Sequence, residues 1–387
     1  RDLHLSLRRQ RKMCIRDSCM PDRLMSTRRI GGLIGLRLLF LTICLSVLTA
    51  CSTISYYEQA VRGHLGLLFK SVSIDRLIAT HKVGSKTRER LMLLREIRRF
   101  GISQLSLPDN DSYTRYADIG RDYAVWAVFA SDEFSIEPKT WCFPIAGCVP
   151  YRGYFSRHRA ERFALDLKAG GLDVFSSGVP AYSTLGWGSD PVLNTVLMWP
   201  DDQLAGLIFH ELAHQVVYVK NESAFNESFA TFVEEMGVQE WLRERGDTQA
   251  LAAYRSRRAW RARVVKKIFD HRASLARLYR SGLSADAMRK EKKLLFARFR
   301  EHYRNEQFAG QHPLTWDHWI LSEPNNARLN AIATYHQYIP AFQQLFEGCG
   351  SNFRVFFDEV RALTEMPPVD RMRQLSMLRS LPLNDLD

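Results

Sequence analysis

The sequence predicts an α+β fold that is predominantly helical, with a small β-sheet upstream of one apolar helix. Three observations lead there. Apolar residues recur at helical spacing over 55–100, over 156–171 and almost everywhere after 200, whereas strand-and-turn texture is confined to about 113–155 and 173–195. The composition is that of an ordinary globular chain: 387 residues, 46% hydrophobic and 25% charged. That excludes a mostly disordered chain, a collagen-like repeat and a small disulfide scaffold. Only one run approaches membrane length, near the N-terminus, so a multi-span membrane protein is excluded as well.

Residues 1–24 show no periodicity and read as upstream read-through, with Met25 the better start. Arg28-Arg29, a largely apolar stretch from Ile30 to Leu48 and the small residues before Cys51 then make a signal peptide over 25–50. Leu48-Thr49-Ala50-Cys51 resembles a bacterial lipobox. The resemblance implies cleavage before Cys51, lipid on its sulfur and, with Ser52 next, an outer-membrane anchor facing the periplasm. The net charge of +12 does not invite nucleic acid. Residues 1–51 hold ten Lys/Arg against three Asp/Glu, which leaves only +5 for the rest, and no nucleic-acid motif accompanies it. Export also sorts the cysteines. Cys142 and Cys148 flank a loop short enough to close as a disulfide, with two buried thiols as the alternative, and Cys349 is left over as a buried thiol.

In the mature chain, an N-terminal helical and β-rich lobe is expected over 51–200 and a helical lobe over 201–387. Helices are expected at Tyr56–Phe69 and at Thr87–Phe100, the second stopped by Gly101. Tyr123–Ala130 reads as a strand, and Ser156–Gly171 as a helix ended by Gly170-Gly171. Asp201 and Asp202 suit an N-cap and acidic first turn for a helix running to about Tyr218. Helices near 226–246, 248–279 and 285–305 follow, the last two as a basic hairpin, and others begin near Asn325 and Asn352. The basic face of that hairpin, Arg255 to Lys267, reads as solvated, with anionic lipid headgroups as the alternative contact.

The Asp202 helix contains His210-Glu211-Leu212-Ala213-His214. Imidazoles at i and i+4 leave one helical face a turn apart, so one cation can be held by both. Glu211 then leans toward the open coordination position, where it can take a proton from water on the metal. Asn226-Glu227-Ser228-Phe229-Ala230 heads the next helix, thirteen residues beyond His214. If that helix folds back on the first, Glu227 completes a His₂Glu set, for which Zn2+ is the best-suited ion. Glu222, Glu234 and Glu235 are rival carboxylates.

This arrangement resembles the gluzincin zinc metallopeptidases. Together with the lipobox and Cys142–Phe155, it is similar to the aminopeptidase lipoproteins of Gram-negative bacteria. The resemblance implies a zincin-like fold around the HExxH helix, a peptide substrate, and hydrolysis with Glu211 as general base. It also implies a downstream oxyanion donor, for which Tyr335, His336 and Tyr338 are candidates. Tyr182 and Trp187 are placed in an edge strand lining the cleft. Two departures stand out. No carboxylate occupies Gly178–Trp187, where the zinc aminopeptidases hold the substrate amine, and Thr231 stands where thermolysin-like enzymes place an Asp behind a zinc-bound His. A non-catalytic envelope lipoprotein or adaptor with a structural zinc site is the rival reading; it leaves Glu211 without a task.

Overall fold

Among the described residues helices predominate and the strands gather into three small sheets, an α+β architecture. The computed structural model describes residues 54–80, 82–184, 188–307, 320–321 and 324–380. The leader, Cys51 and Trp187 lie outside the described residues. Among the described residues no helix is long and apolar enough to cross a membrane.

Helix α1 spans 54–70, followed by β1 (Val72–Ser73), α2 (Ile74–Thr80) and α3 (Ser85–Leu105). Gly101 does not stop α3, which continues to a left-handed cap at Ser106 (φ 55°). Its lack of a side chain serves packing instead: a Cβ there would stand 3.2 Å from Leu107 and from the ring of Phe209.

The strand region comprises β2 (Arg115–Ala117), β3 (Val125–Ser131), β4 (Trp141–Phe143), β5 (Gly147–Val149) and β6 (Tyr151–Tyr154). Helix α4 (Arg157–Ala169), β7 (Asp173–Val179) and β8 (Val192–Leu193) follow. β3 is the centre of an antiparallel sheet between β6 and β7, with Phe129 between Tyr151 and Phe175. β2 pairs antiparallel with β1 and parallel with β8. β4 and β5 form a hairpin in which Cys142 lies opposite Cys148, and the two are joined by a disulfide.

After the short α5 (Asn194–Leu197), helices take over: α6 (Asp201–Ala213), α7 (Ser223–Glu244), α8 (Thr248–Tyr279) and α9 (Ala285–Gln307). The C-terminal part holds α10 (Asn326–His336), α11 (Ile339–Gly348), α12 (Phe353–Glu365) and α13 (Pro368–Ser380). Pro340 in the first turn of α11, and Pro367 just before α13 with Pro368 as its first residue, explain why the expected two C-terminal helices are four among the described residues. α6 ends near His214 rather than Tyr218, and α7 begins earlier than expected, at Ser223.

One large core joins α3, α6, α7, α11 and α12, where Phe229, Phe232, Phe342, Phe346, Phe356 and Phe357 are almost fully enclosed. A second cluster, built on Trp260, Val264, Ile268, Phe296, Phe299 and Tyr303, fills the space between α8 and α9. α6 and α7 pack tightly against each other, for which glycine is needed. A Cβ on Gly206 would stand 3.1 Å from Glu234 Cγ, and one on Gly237 would stand 2.7 Å from Leu105 and 2.9 Å from Phe209.

Candidate metal centre

α6 is fixed at its start by its acidic first turn. Asp201 and Asp202 complement the helix dipole and pair with Arg90 of α3 and Arg257 of α8. Apolar residues bury the rest of the helix, which carries His210 and His214 into the protein at 8% and 5% exposure. The chain then turns and returns as α7. Asn226 closes that turn with both ends of its amide, accepting from the Val219 N–H (2.8 Å) and donating to the Val219 carbonyl (2.7 Å). The next residue, Glu227, is thereby aimed back at α6.

His210 Nε2 lies 3.4 Å and His214 Nε2 3.7 Å from Glu227 Oε2. One ligand atom from each of the three side chains falls within 4.8 Å of the others. A tetrahedral ion about 2.1 Å from each ligand sets those ligands about 3.4 Å apart, so the spacing suits a metal better than it suits direct hydrogen bonds. The electrostatics agree. Burial pushes the Glu227 carboxyl up, but the imidazoles of His214 and His210 outweigh it and hold the group well below the usual carboxylate range. Burial alone would lower His210, yet the neighbouring carboxylates of Glu227 and Glu234 raise it well above an ordinary imidazole. A buried cluster of this kind calls for positive charge. The donor set of two imidazoles and a carboxylate fits zinc.

The rival carboxylates have other partners. Glu222 is held by Arg371, and Glu235 accepts from Arg258 (2.7 Å). Glu234 stands 3.1 Å from His210 Nδ1, on the side of the ring away from Glu227. It therefore occupies the orienting position for which Thr231 has no suitable group. Thr231 is buried and its hydroxyl finds no hydrogen-bond partner among the described residues. The signal for Glu234 was its position two helical turns beyond Glu227, on the same face.

Glu211 is half-buried, and desolvation raises its carboxyl above the ordinary value against the pull of His210 and His214. Two groups that sequence reasoning missed share its surroundings. Tyr113 is buried, adopts φ 62° and donates its backbone N–H to the Asp190 carbonyl (2.7 Å). Asp190 is buried too, and its carboxylate accepts from the Thr184 N–H (2.9 Å) and the Ser183 hydroxyl (3.2 Å). A left-handed φ on a tyrosine was the one local sign available, and it exists only in three dimensions.

Of the three downstream candidates, the structure brings Tyr335 alone to the cluster. Its ring stacks on His210 at 6.2 Å; the Glu227 charge, then burial, raise its phenol well above an ordinary one. His336 faces a different set of groups, Arg261 and Glu234, and burial pushes it down to about 3. Tyr338 caps α11, and its backbone N–H donates to Ser228 Oγ (3.1 Å). Ser228, next to Glu227, thus fixes the end of α10 and the phase that presents Tyr335. Tyr182 is not in an edge strand. β7 ends at Val179 before Pro180, which has no N–H to extend the ladder, and the Tyr182 ring packs on Phe155 (5.2 Å) and His64 (5.7 Å).

The disulfide hairpin reaches the same region. Its Cys148 N–H donates to Asn221 Oδ1 (2.8 Å), and Tyr218, whose ring meets His214 at 6.3 Å, donates to the Ala146 carbonyl (2.9 Å).

Residues 55–375 match the model of the family described as "Putative aminopeptidase", and the chain belongs to that family. No curated protein and no solved structure matches it.

Proposed function

We propose that the protein is a zinc-dependent peptidase in which His210, His214 and Glu227 hold the ion and Glu211 is the general base. The convergence of those three ligand atoms beside Glu211 carries the reading, and membership of an aminopeptidase family supports it. Bound there, zinc supplies a Lewis acid that polarises a carbonyl and acidifies water. Glu211, its basicity raised by burial, takes the proton from the attacking water and delivers it to the departing amine. Tyr335 offers an O–H donor next to Glu227, suited to charge developing on the carbonyl oxygen. Glu234 fixes the ring of His210 through Nδ1. This set goes beyond what a structural zinc site needs.

The test is bound zinc per chain in the wild type, His210→Ala and Glu227→Ala, with peptide hydrolysis measured alongside. About one zinc, lost in both variants, is expected. Glu211→Gln should keep its zinc and lose about 10²–10⁴-fold in kcat. Full activity in a zinc-free Glu227→Ala protein would sink the reading. The aminopeptidase assignment predicts that N-acetylation of a peptide protects it, and cleavage of acetylated and free peptides alike would make the enzyme an endopeptidase. The lipobox reading adds an envelope location through lipid on Cys51. Palmitate labelling lost in Cys51→Ala is the result expected of it.

A further inference from the structure

The residues that follow the site groups on α7 and α10 open onto a second feature. Glu234 and Tyr335 meet His210, whereas Glu235 and His336 line a groove of about 630 Å3 against α8 and α11. Its size is that of a small-molecule site. The floor is built rather than incidental. Glu235 and Gln343 are buried at 4% and 7% exposure, and Arg258 joins them, donating Nε to Glu235 (2.7 Å) and Nη2 to Gln343 Oε1 (3.2 Å). One wall is apolar, made by Val265, Phe269, Ile339 and Pro340.

The charge balance of the lining is uneven. Arg258 is committed to Glu235, and Lys266 to Asp270 (2.8 Å). Three further guanidinium groups also line the groove. Arg255 donates to the neutral Gln239 (3.3 Å), and Arg261 stands 3.8 Å from the Glu235 carboxylate that Arg258 already holds. Arg379 lies over the Phe269 ring at 5.5 Å. Facing these three cations is one further carboxylate, Glu347, which accepts from Gln343 (2.6 Å). Much of what the sequence presents as a solvated basic helix therefore borders an apolar groove with surplus positive charge.

We propose that this groove binds an amphipathic monoanion, its hydrocarbon chain along Val265, Phe269 and Ile339 and its carboxylate or phosphate head on Arg261 and Arg379. Guanidinium forks match both head groups, and the apolar wall demands the chain. The site is separate from the metal ligands and does not depend on the peptidase reading.

Equilibrium dialysis of decanoate against chelator-treated protein tests it, so that failure of the metal site cannot mask the result. Saturable binding at one site is expected, weakened at least about tenfold in Arg261→Gln/Arg379→Gln. Decyl phosphate should compete and decyltrimethylammonium should not. That competition needs only the wild-type protein and stands even where the double variant does not fold. The proposal is overturned by no saturable binding up to about 1 mM decanoate, or by equal competition from the decyl cation. Displacement by inorganic phosphate as effective as by decyl phosphate overturns it too, since the apolar wall would then be idle. So does binding to phosphatidylglycerol vesicles without binding of monomeric decanoate, which would make the face a membrane contact. Decanoate binding that emerges only after removal of the residues past 380 would make the chain's own terminal segment the occupant.

Discussion

Glu234 decides how firmly His210 is held. A ligand imidazole with its second nitrogen on a carboxylate has one tautomer and one ring orientation, and it is a better donor for both reasons. Glu234→Ala should weaken zinc binding about 10–100-fold in competition with a chromogenic chelator. Thr231→Ala, which removes a hydroxyl with no partner among the described residues, should leave it nearly unchanged. Equal losses in the two would mean that the Glu234 contact does not orient the ring. Tyr335 gives a second prediction at this scale. Tyr335→Phe should keep zinc and lose about 10²–10³-fold in kcat, while Tyr338→Phe stays close to wild type. That His210 and His214 share one face was legible in the sequence, because i, i+4 spacing fixes a face without knowledge of the fold. The choice among Tyr335, His336 and Tyr338 was not, because it depends on the phase of α10, which Ser228 on another helix sets.

At the scale of elements, the site depends on how closely α6 and α7 approach. Gly206 allows Glu234 to lie against α6 on its way to His210, and a methyl group there would meet Glu234 Cγ at 3.1 Å and Oε1 at 3.2 Å. Gly206→Ala is therefore expected to lower zinc affinity several-fold without touching a ligand, the displaced side chain being the cause. An unchanged affinity would show that Glu234 has a second way to reach His210. The start of α7 has its own anchor. Arg371 of α13, at 3% exposure, pairs with Glu222 and donates to the Thr364 (2.9 Å), Leu363 (3.2 Å) and Met366 (3.2 Å) carbonyls at the end of α12. Arg371→Met strands those acceptors and should cost about 3–5 kcal/mol in urea unfolding. Helix existence was legible from period and composition. Helix ends were not: Gly101 reads as a stop and is in fact a contact point, because Phe209 lies far away in sequence and close in space.

For the whole molecule, the balance of helix and sheet followed from local periodicity, whereas the parallel pairing of β2 with β8 and the groove on α8 arise from long-range packing that no local pattern records. His271 shows what that packing does to a residue that looks unremarkable in the sequence. It lies in the second hydrophobic cluster between the rings of Phe296 (4.8 Å) and Phe299 (4.6 Å), and its Nε2 has no hydrogen-bond partner among the described residues. Burial pushes it from 6.5 down to about 4. The folded protein therefore binds fewer protons than the unfolded chain between those values. Its contribution to stability is complete above pH 6.5 and is lost as pH falls through 6.5 toward about 4, by roughly 3 kcal/mol in all. Carboxylates beside His210 and His214 also titrate in acid, so the comparison that isolates His271 is with His271→Leu, both proteins being unfolded in urea with chelator at pH 7 and pH 4.5. The variant should match or exceed the wild type at pH 7, having lost an unsatisfied nitrogen, and should lose about 2–3 kcal/mol less on acidification. Parallel losses in the two would show that the ring takes up its proton in the fold as readily as in the unfolded chain and that the α8–α9 cluster opens far enough to hydrate it.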